Sequence, residues 1–259
     1  MMMEGSISQL LNLSTLQLHT IPILTDIPML ALVFLFAVVA SLSYIPGLGP
    51  YVSLFHTLIH ETGHATMARL TGGRVRSISL FSNTEGVAQT SHTSWVGQVL
   101  TALAGYPFAS LLSVLFIYAL SAGFSAHAAA VLALLLLANL FLWVRNLIGW
   151  LWVLSVIGLL LVFYVYANPF YFELTLTVLS LILLIQAWVS AWVIFSLSVK
   201  RKQRAGDATI LAEYTRVPAV LWGSFFFIQA SFFFLIGTAL FFGVEVAWMV
   251  DQLRNWGDG

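Results

Sequence analysis

Between residues 126 and 166 a single residue, Arg145, carries a formal charge. About 20 consecutive apolar residues are enough to cross a bilayer as a helix, and several runs in this chain exceed that length. Of the 259 residues, 8% are charged and 60% hydrophobic, against about 25% charged in an average soluble domain. The pattern predicts an all-α polytopic membrane protein. A membrane β-barrel would instead show a series of short segments of alternating polarity, which this chain lacks. A formal net charge of zero argues against nucleic acid as a partner, and the absence of cysteine excludes disulfides, thiol catalysis and cysteine-ligated metal.

Breakers divide the apolar sequence into about seven expected spans. The first covers 27–45 and ends at Pro46-Gly47-Leu48-Gly49-Pro50; the second covers 51–70 and stops at Thr71-Gly72-Gly73. Residues 74–92 read as a short membrane-associated β-hairpin, with Ser82-Asn83-Thr84-Glu85-Gly86 as its turn. Further spans are expected over 95–119, 126–144, 147–166, 174–198 and 218–243, with a polar loop at 199–217. Residues 1–25 form a tail or surface helix, 26–244 a single membrane-embedded domain, and 245–259 a short polar tail. The N-terminus has no basic n-region, so the first span is expected to be retained. Lys and Arg mark the cytosolic side. They cluster at Arg69, Arg74 and Arg76, at Arg145, and from Lys200 to Arg216. Seven spans then place the N-terminus in the cytosol and the C-terminus outside. Compactness and the lack of organelle signals fit a prokaryotic plasma membrane.

The second span holds His60-Glu61-Thr62-Gly63-His64. This is the H-E-x-x-H pattern, in which two His one helical turn apart share a zinc ion and the Glu serves as base. Residues four apart lie on one helix face, so both imidazoles can reach one ion. Glu61 is rotated about 100° from His60 and can touch a water on the metal rather than the metal itself. Zinc brings the pKa of such a water to about 7. Ionisable groups inside a span are costly and mark function.

Two His leave a catalytic zinc one protein ligand short. His56 shares their face, but eight residues separate it from His64, about 12 Å along the helix, too far for one ion. His127 belongs to the opposite membrane face, and His19 to the N-terminal tail. Glu85 and His92, on the hairpin, remain open as ligands. Asp207, just before the last span, is the best placed; it also fits a helix N-cap. Arg145 and Asn146 could line the site from the cytosolic side, although interfacial snorkelling accounts for Arg145 more simply. The hairpin edge could pair with an extended substrate.

These residues resemble a known group. His60-Glu61-Thr62-Gly63-His64-Ala65, then Leu70-Thr71-Gly72-Gly73-Arg74-Val75 and a β-segment with Glu85-Gly86-Val87, look like the site-2 protease clan, and more narrowly its compact peptidase M50B-like branch. Gly105-Tyr106-Pro107 matches a Gly-x-Pro element of that branch, and the segment from Gly206 to Trp222 resembles its Asp-Ala…Leu-Ala…Thr…Pro…Trp segment. The resemblance implies an intramembrane zinc metalloprotease that cleaves membrane-protein substrates within or near their transmembrane segments. Its ligands to Zn²⁺ would be His60, His64 and Asp207, with Glu61 as base. The Asn-x-x-Pro-x-Asp-Gly segment of larger clan members is absent, as are PDZ-like and CBS-like modules. A catalytically silent scaffold, and a zinc hydrolase acting on a non-peptide substrate, stay open as alternatives. The sequence gives no oligomeric state.

Overall fold

The structure, a computed structural model, describes residues 21–92 and 94–244. The expected N-terminal segment up to residue 20, with His19, and the tail at 245–259 lie outside the described residues. In chain order the elements are α1 (Met29–Leu42), α2 (Leu48–Leu70), β1 (Arg74–Leu80), β2 (Gly86–Ser91), α3 (Trp95–Ser121), α4 (Ser125–Ala138), α5 (Leu147–Tyr166), α6 (Pro169–Lys200), α7 (Asp207–Thr215) and α8 (Ala219–Phe241). A π-helical turn, Asn139–Trp143, continues α4.

Five helices among the described residues are long and apolar enough to cross a membrane: α3, α4 with its π-turn, α5, α6 and α8. The chain is a mostly helical integral membrane protein. On length and apolarity the seven expected spans become five. α1 has 14 residues, about 21 Å at the helical rise, short of a hydrocarbon core of about 30 Å. α2 is long enough at 23 residues, but His56, His60, Glu61, His64 and Arg69 dilute its apolar character. Its polar groups are turned inward: His56, Glu61 and His64 are all buried.

Local signals explain the boundaries. Ser94 caps α3, its Oγ accepting from Gly97 N–H at 3.0 Å. α6 begins at 169 rather than 174, because Asn168 caps it through Phe170 N–H at 3.0 Å and Pro169 takes the first helical position. α3 is the central element and packs against α2, α4, α6, α7 and α8. A cluster of small residues on α3, α6, α7 and α8, including Ala102, Ala191, Ala208 and Ala230, lets α7 sit close to the bundle.

The hairpin is present as expected, antiparallel, with a register shift between Val75 and Ser77. It runs back along α2: Thr57 Oγ1 donates to the carbonyl of Thr84, in the turn, at 2.8 Å. The outer edge of β1 is covered by residues 144–146. Ile78 bridges Val144 in parallel, and Arg145 N–H donates to Ile78 O at 3.1 Å.

Candidate metal centre

On α2 the Nε2 atoms of His60 and His64 lie 3.0 Å apart. Asp207 opens α7, and its Oδ2 lies 3.2 Å from His60 Nε2 and 3.3 Å from His64 Nε2. Residues 147 positions apart thus meet in one triangle. Gly206, not Asp207, takes the N-cap position of α7, so the helix-cap alternative is not the one adopted. Among the described residues, His60, His64 and Asp207 form the group able to hold a metal ion.

The arrangement fits zinc. Tetrahedral ligands at 2.0–2.1 Å from an ion stand about 3.3 Å from one another, close to the spacing seen. The donor chemistry agrees. His64 Nδ1 lies 2.6 Å from the carbonyl of Thr101, which can only accept, so the proton belongs on Nδ1. The lone pair of His64 Nε2 then faces the carboxylate oxygen of Asp207. Two acceptors at that distance need positive charge between them, a shared proton or a metal ion.

Gly105 on α3 makes room for this cluster. A β-carbon there would lie 2.5 Å from His60 Cε1 and 2.6 Å from His64 Nε2, distances at which no side chain fits. The next residue, Tyr106, packs its ring edge-on to His60, with centroids 4.6 Å apart, and lies tilted against the buried Phe226.

Glu61 faces the hairpin. Its Oε2 accepts from Ala88 N–H on β2 at 2.7 Å, which fixes the carboxylate. A cleft of about 610 Å³ opens beside it, lined by Glu61, His64, Val87, Thr90, Asp207 and Tyr214. On the other side of Glu61 a smaller cavity of about 230 Å³ is lined by His56, His60, Tyr106 and Ser190.

The other candidates stand apart from the triangle. His56 Nε2 pairs with Ser190 Oγ at 3.2 Å, a packing role. Glu85 is exposed in the hairpin turn, and His127 is exposed near the start of α4. His92 lines the cleft but does not join the metal-holding group; burial pushes its imidazole below the ordinary value. Arg145 and Asn146 do not line the site. The Arg145 guanidinium donates to Val144 O at 2.7 Å and Leu142 O at 2.8 Å, and Asn146 bonds to the backbone of Leu80. Sequence reading did not find Thr101 and Ala88, because both act through the backbone and leave no side-chain signal.

A sequence profile of the family described as Peptidase M50B-like matches residues 29–237. That range contains α1 to α7 and nearly all of α8, with every residue of the triangle. No curated protein and no solved structure matches the chain.

Proposed function

Because this chain belongs to the peptidase M50B-like family of site-2 proteases, we propose that it is an intramembrane zinc endopeptidase that hydrolyses peptide bonds within or near transmembrane segments of other membrane proteins. The observation that carries this reading is the triangle of His60 Nε2, His64 Nε2 and Asp207 Oδ2, with the Glu61 carboxylate beside it on the same helix.

His60, His64 and Asp207 would hold the metal. Bound zinc supplies Lewis-acid chemistry, making a water acidic near neutral pH and polarising a carbonyl. Glu61 supplies the proton chemistry. With Oε2 held by Ala88 N–H, Oε1 is free to accept the proton of the attacking water. The same carboxyl then returns that proton to the nitrogen of the departing strand, as a general base becoming a general acid. Thr101 O holds the tautomer of His64, keeping its Nε2 unprotonated for the metal.

The hairpin would hold the substrate. A helix must unwind before its peptide bonds are open to attack, and strand addition holds a chain extended. In the antiparallel pair, Ile78 faces Ala88 and Leu80 faces Gly86. Ile78 O and Leu80 N–H bond to residues 145 and 146, away from β2, so these are the pairs that do not bond to each other. Gly86 and Ala88 therefore turn their backbone groups outward, into the cleft beside Glu61. All seven apolar helices would cross the membrane, α2 being sheltered from lipid by its neighbours and α1 helped by local thinning or flanking residues.

The test is Glu61→Gln, purified and loaded with zinc. Substitution of the base is expected to lower the hydrolysis rate by about 10²- to 10⁴-fold with zinc per chain unchanged. Full hydrolytic activity in Glu61→Gln would overturn the assignment.

A further inference from the structure

The segment from Asn139 to Asn146 interrupts the apolar sequence between α4 and α5, and the chemistry just described does not use it. It is tied at both ends by side-chain amides. At one end, the fully buried Asn139 places Oδ1 3.0 Å from Thr62 Oγ1, inside the His60–His64 motif, where it shares the hydroxyl proton with Leu58 O, 2.6 Å away. Its Nδ2 donates to Leu135 O at 2.9 Å. At the other end, Asn146 engages one backbone residue twice: Nδ2 donates to Leu80 O at 2.6 Å, and Leu80 N–H donates to Oδ1 at 3.1 Å. The side chain of Asn146 thus acts as one more residue of strand on the edge of β1, continuing the Val144–Ile78 bridge. Between the two ends the π-turn is closed by the Arg145 guanidinium, which donates to the carbonyls of Phe141, Leu142 and Val144. Gly149, at the start of α5, leaves room for the amide: a β-carbon there would lie 2.7 Å from Asn146 Oδ1.

We propose that Asn139 and Asn146 are positioning residues that fix the register of the hairpin against the motif helix, so that Ala88 N–H stays on Glu61 and β2 is the edge left open to an extended chain. The need follows from strand geometry. Alternate residues of a strand turn their backbone groups to opposite edges, and a slip of one position reverses every one of them. A slip would put Val87 or Gln89 beside Glu61 with its N–H pointing toward β1, and the carboxylate would lose its donor. The hairpin alone resists such a slip weakly, because a two-stranded sheet is marginal by itself and this one already carries a shift between Val75 and Ser77. A clamp bonded to Thr62 at one end and Leu80 at the other measures the hairpin against the helix that carries Glu61. It also occupies the outward groups of Ile78 and Leu80, so a substrate strand finds β1 closed. The part of this inference that concerns substrate rests on the proposed function; the register does not.

The experiment uses the full chain, zinc-loaded in detergent, as wild type, Asn146→Ala and Asn146→Asp. The Asp variant keeps the shape and the acceptor for Leu80 N–H while losing the donor, so it serves where the Ala variant fails to fold. Residue-resolved amide hydrogen exchange reads the register, metal analysis reads the centre, and mass spectrometry reads the ends of products cut from β-casein, an unfolded probe. Exchange at Ala88 is expected to quicken at least 10-fold in both variants, and at Leu80 in Asn146→Ala, with zinc retained, and the cuts to spread to neighbouring bonds. Since Ala88 does not touch Asn146, a merely local effect would leave its exchange unmoved. An unchanged Ala88 amide in both variants overturns the inference, whatever the cleavage. Exchange that responds as expected, in a wild type that cuts no casein, supports the register clamp and counts against the peptidase reading.

Discussion

Gly105 shows how tightly the centre is drawn at the scale of single residues. Its missing side chain leaves the space that His60 and His64 occupy, and a methyl would sit 2.5–2.7 Å from three of their ring atoms. Neither ring can retreat freely, since His64 is anchored on Thr101 O and His60 packs against Tyr106. Gly105→Ala is therefore expected to weaken zinc binding by at least the roughly 10- to 100-fold typical of disturbed supporting contacts, measured by competition with a chelator, while the helical circular dichroism is kept. At this scale the sequence was legible where chemistry is written in side chains at fixed spacing. His60, Glu61 and His64 stand out because a helix brings residues four apart onto one face. Asp207 was legible only as a candidate, since nothing local joins it to residue 60. Thr101 and Ala88 contribute a carbonyl and an N–H that almost any residue but proline could supply, so their identities carry no trace of the role.

At the scale of elements, the placement of α7 matters most, because it delivers Asp207. The helix is short, nine residues, and is held at its far end by two indoles. Trp95 Nε1 donates to Tyr214 O at 2.7 Å, and Trp222 Nε1 donates to Thr215 Oγ1 at 3.1 Å. At its near end Gly206 takes a positive φ of 49°, a conformation that costs a side-chain-bearing residue free energy. Each hydrogen bond contributes on the order of 1 kcal/mol. The double variant Trp95→Phe with Trp222→Phe is thus expected to loosen α7 and weaken zinc affinity about 10-fold, equivalent to about 1.4 kcal/mol. Unchanged affinity, read by titration, would show that α7 needs neither indole. The start of α3 after Ser94 was readable, whereas Asn168-Pro169 reads as a turn and is instead the cap and first position of α6, five residues before the expected start. The hairpin was readable from its alternation and turn, but not its seat against α2, which depends on pairing with residues 144–146 far along the chain. The polar pair Arg145-Asn146 was legible as a membrane-edge signal, but its bonds to the π-turn and the hairpin were not.

For the whole molecule, the number of helices that cross decides which loops share a side. Five qualify on length and apolarity, and the proposed seven add α1 and α2. The two counts place the described loops differently, and a chain without cysteine allows a clean test. Tyr44, exposed between α1 and α2, and Arg201, exposed after α6, lie on opposite sides if α2 crosses and on the same side if α1 and α2 do not. An impermeant maleimide applied to intact cells is expected to label Tyr44→Cys and spare Arg201→Cys. Equal behaviour of the two would show that α2 does not cross. Overall helical, membrane-embedded character was legible from composition alone, because apolar length admits few other folds. The count was less so, since a helix wrapped by its neighbours does not need an apolar surface.

The proposed chemistry depends on α2 and α7 meeting at one zinc ion. It is tested most directly by metal content per chain in detergent-purified wild type beside His60→Ala and Asp207→Ala, each reloaded with Zn²⁺. One zinc per chain is expected in the wild type, lost in both variants. Zinc kept in Asp207→Ala, or a wild type that takes up none on reloading, would contradict it.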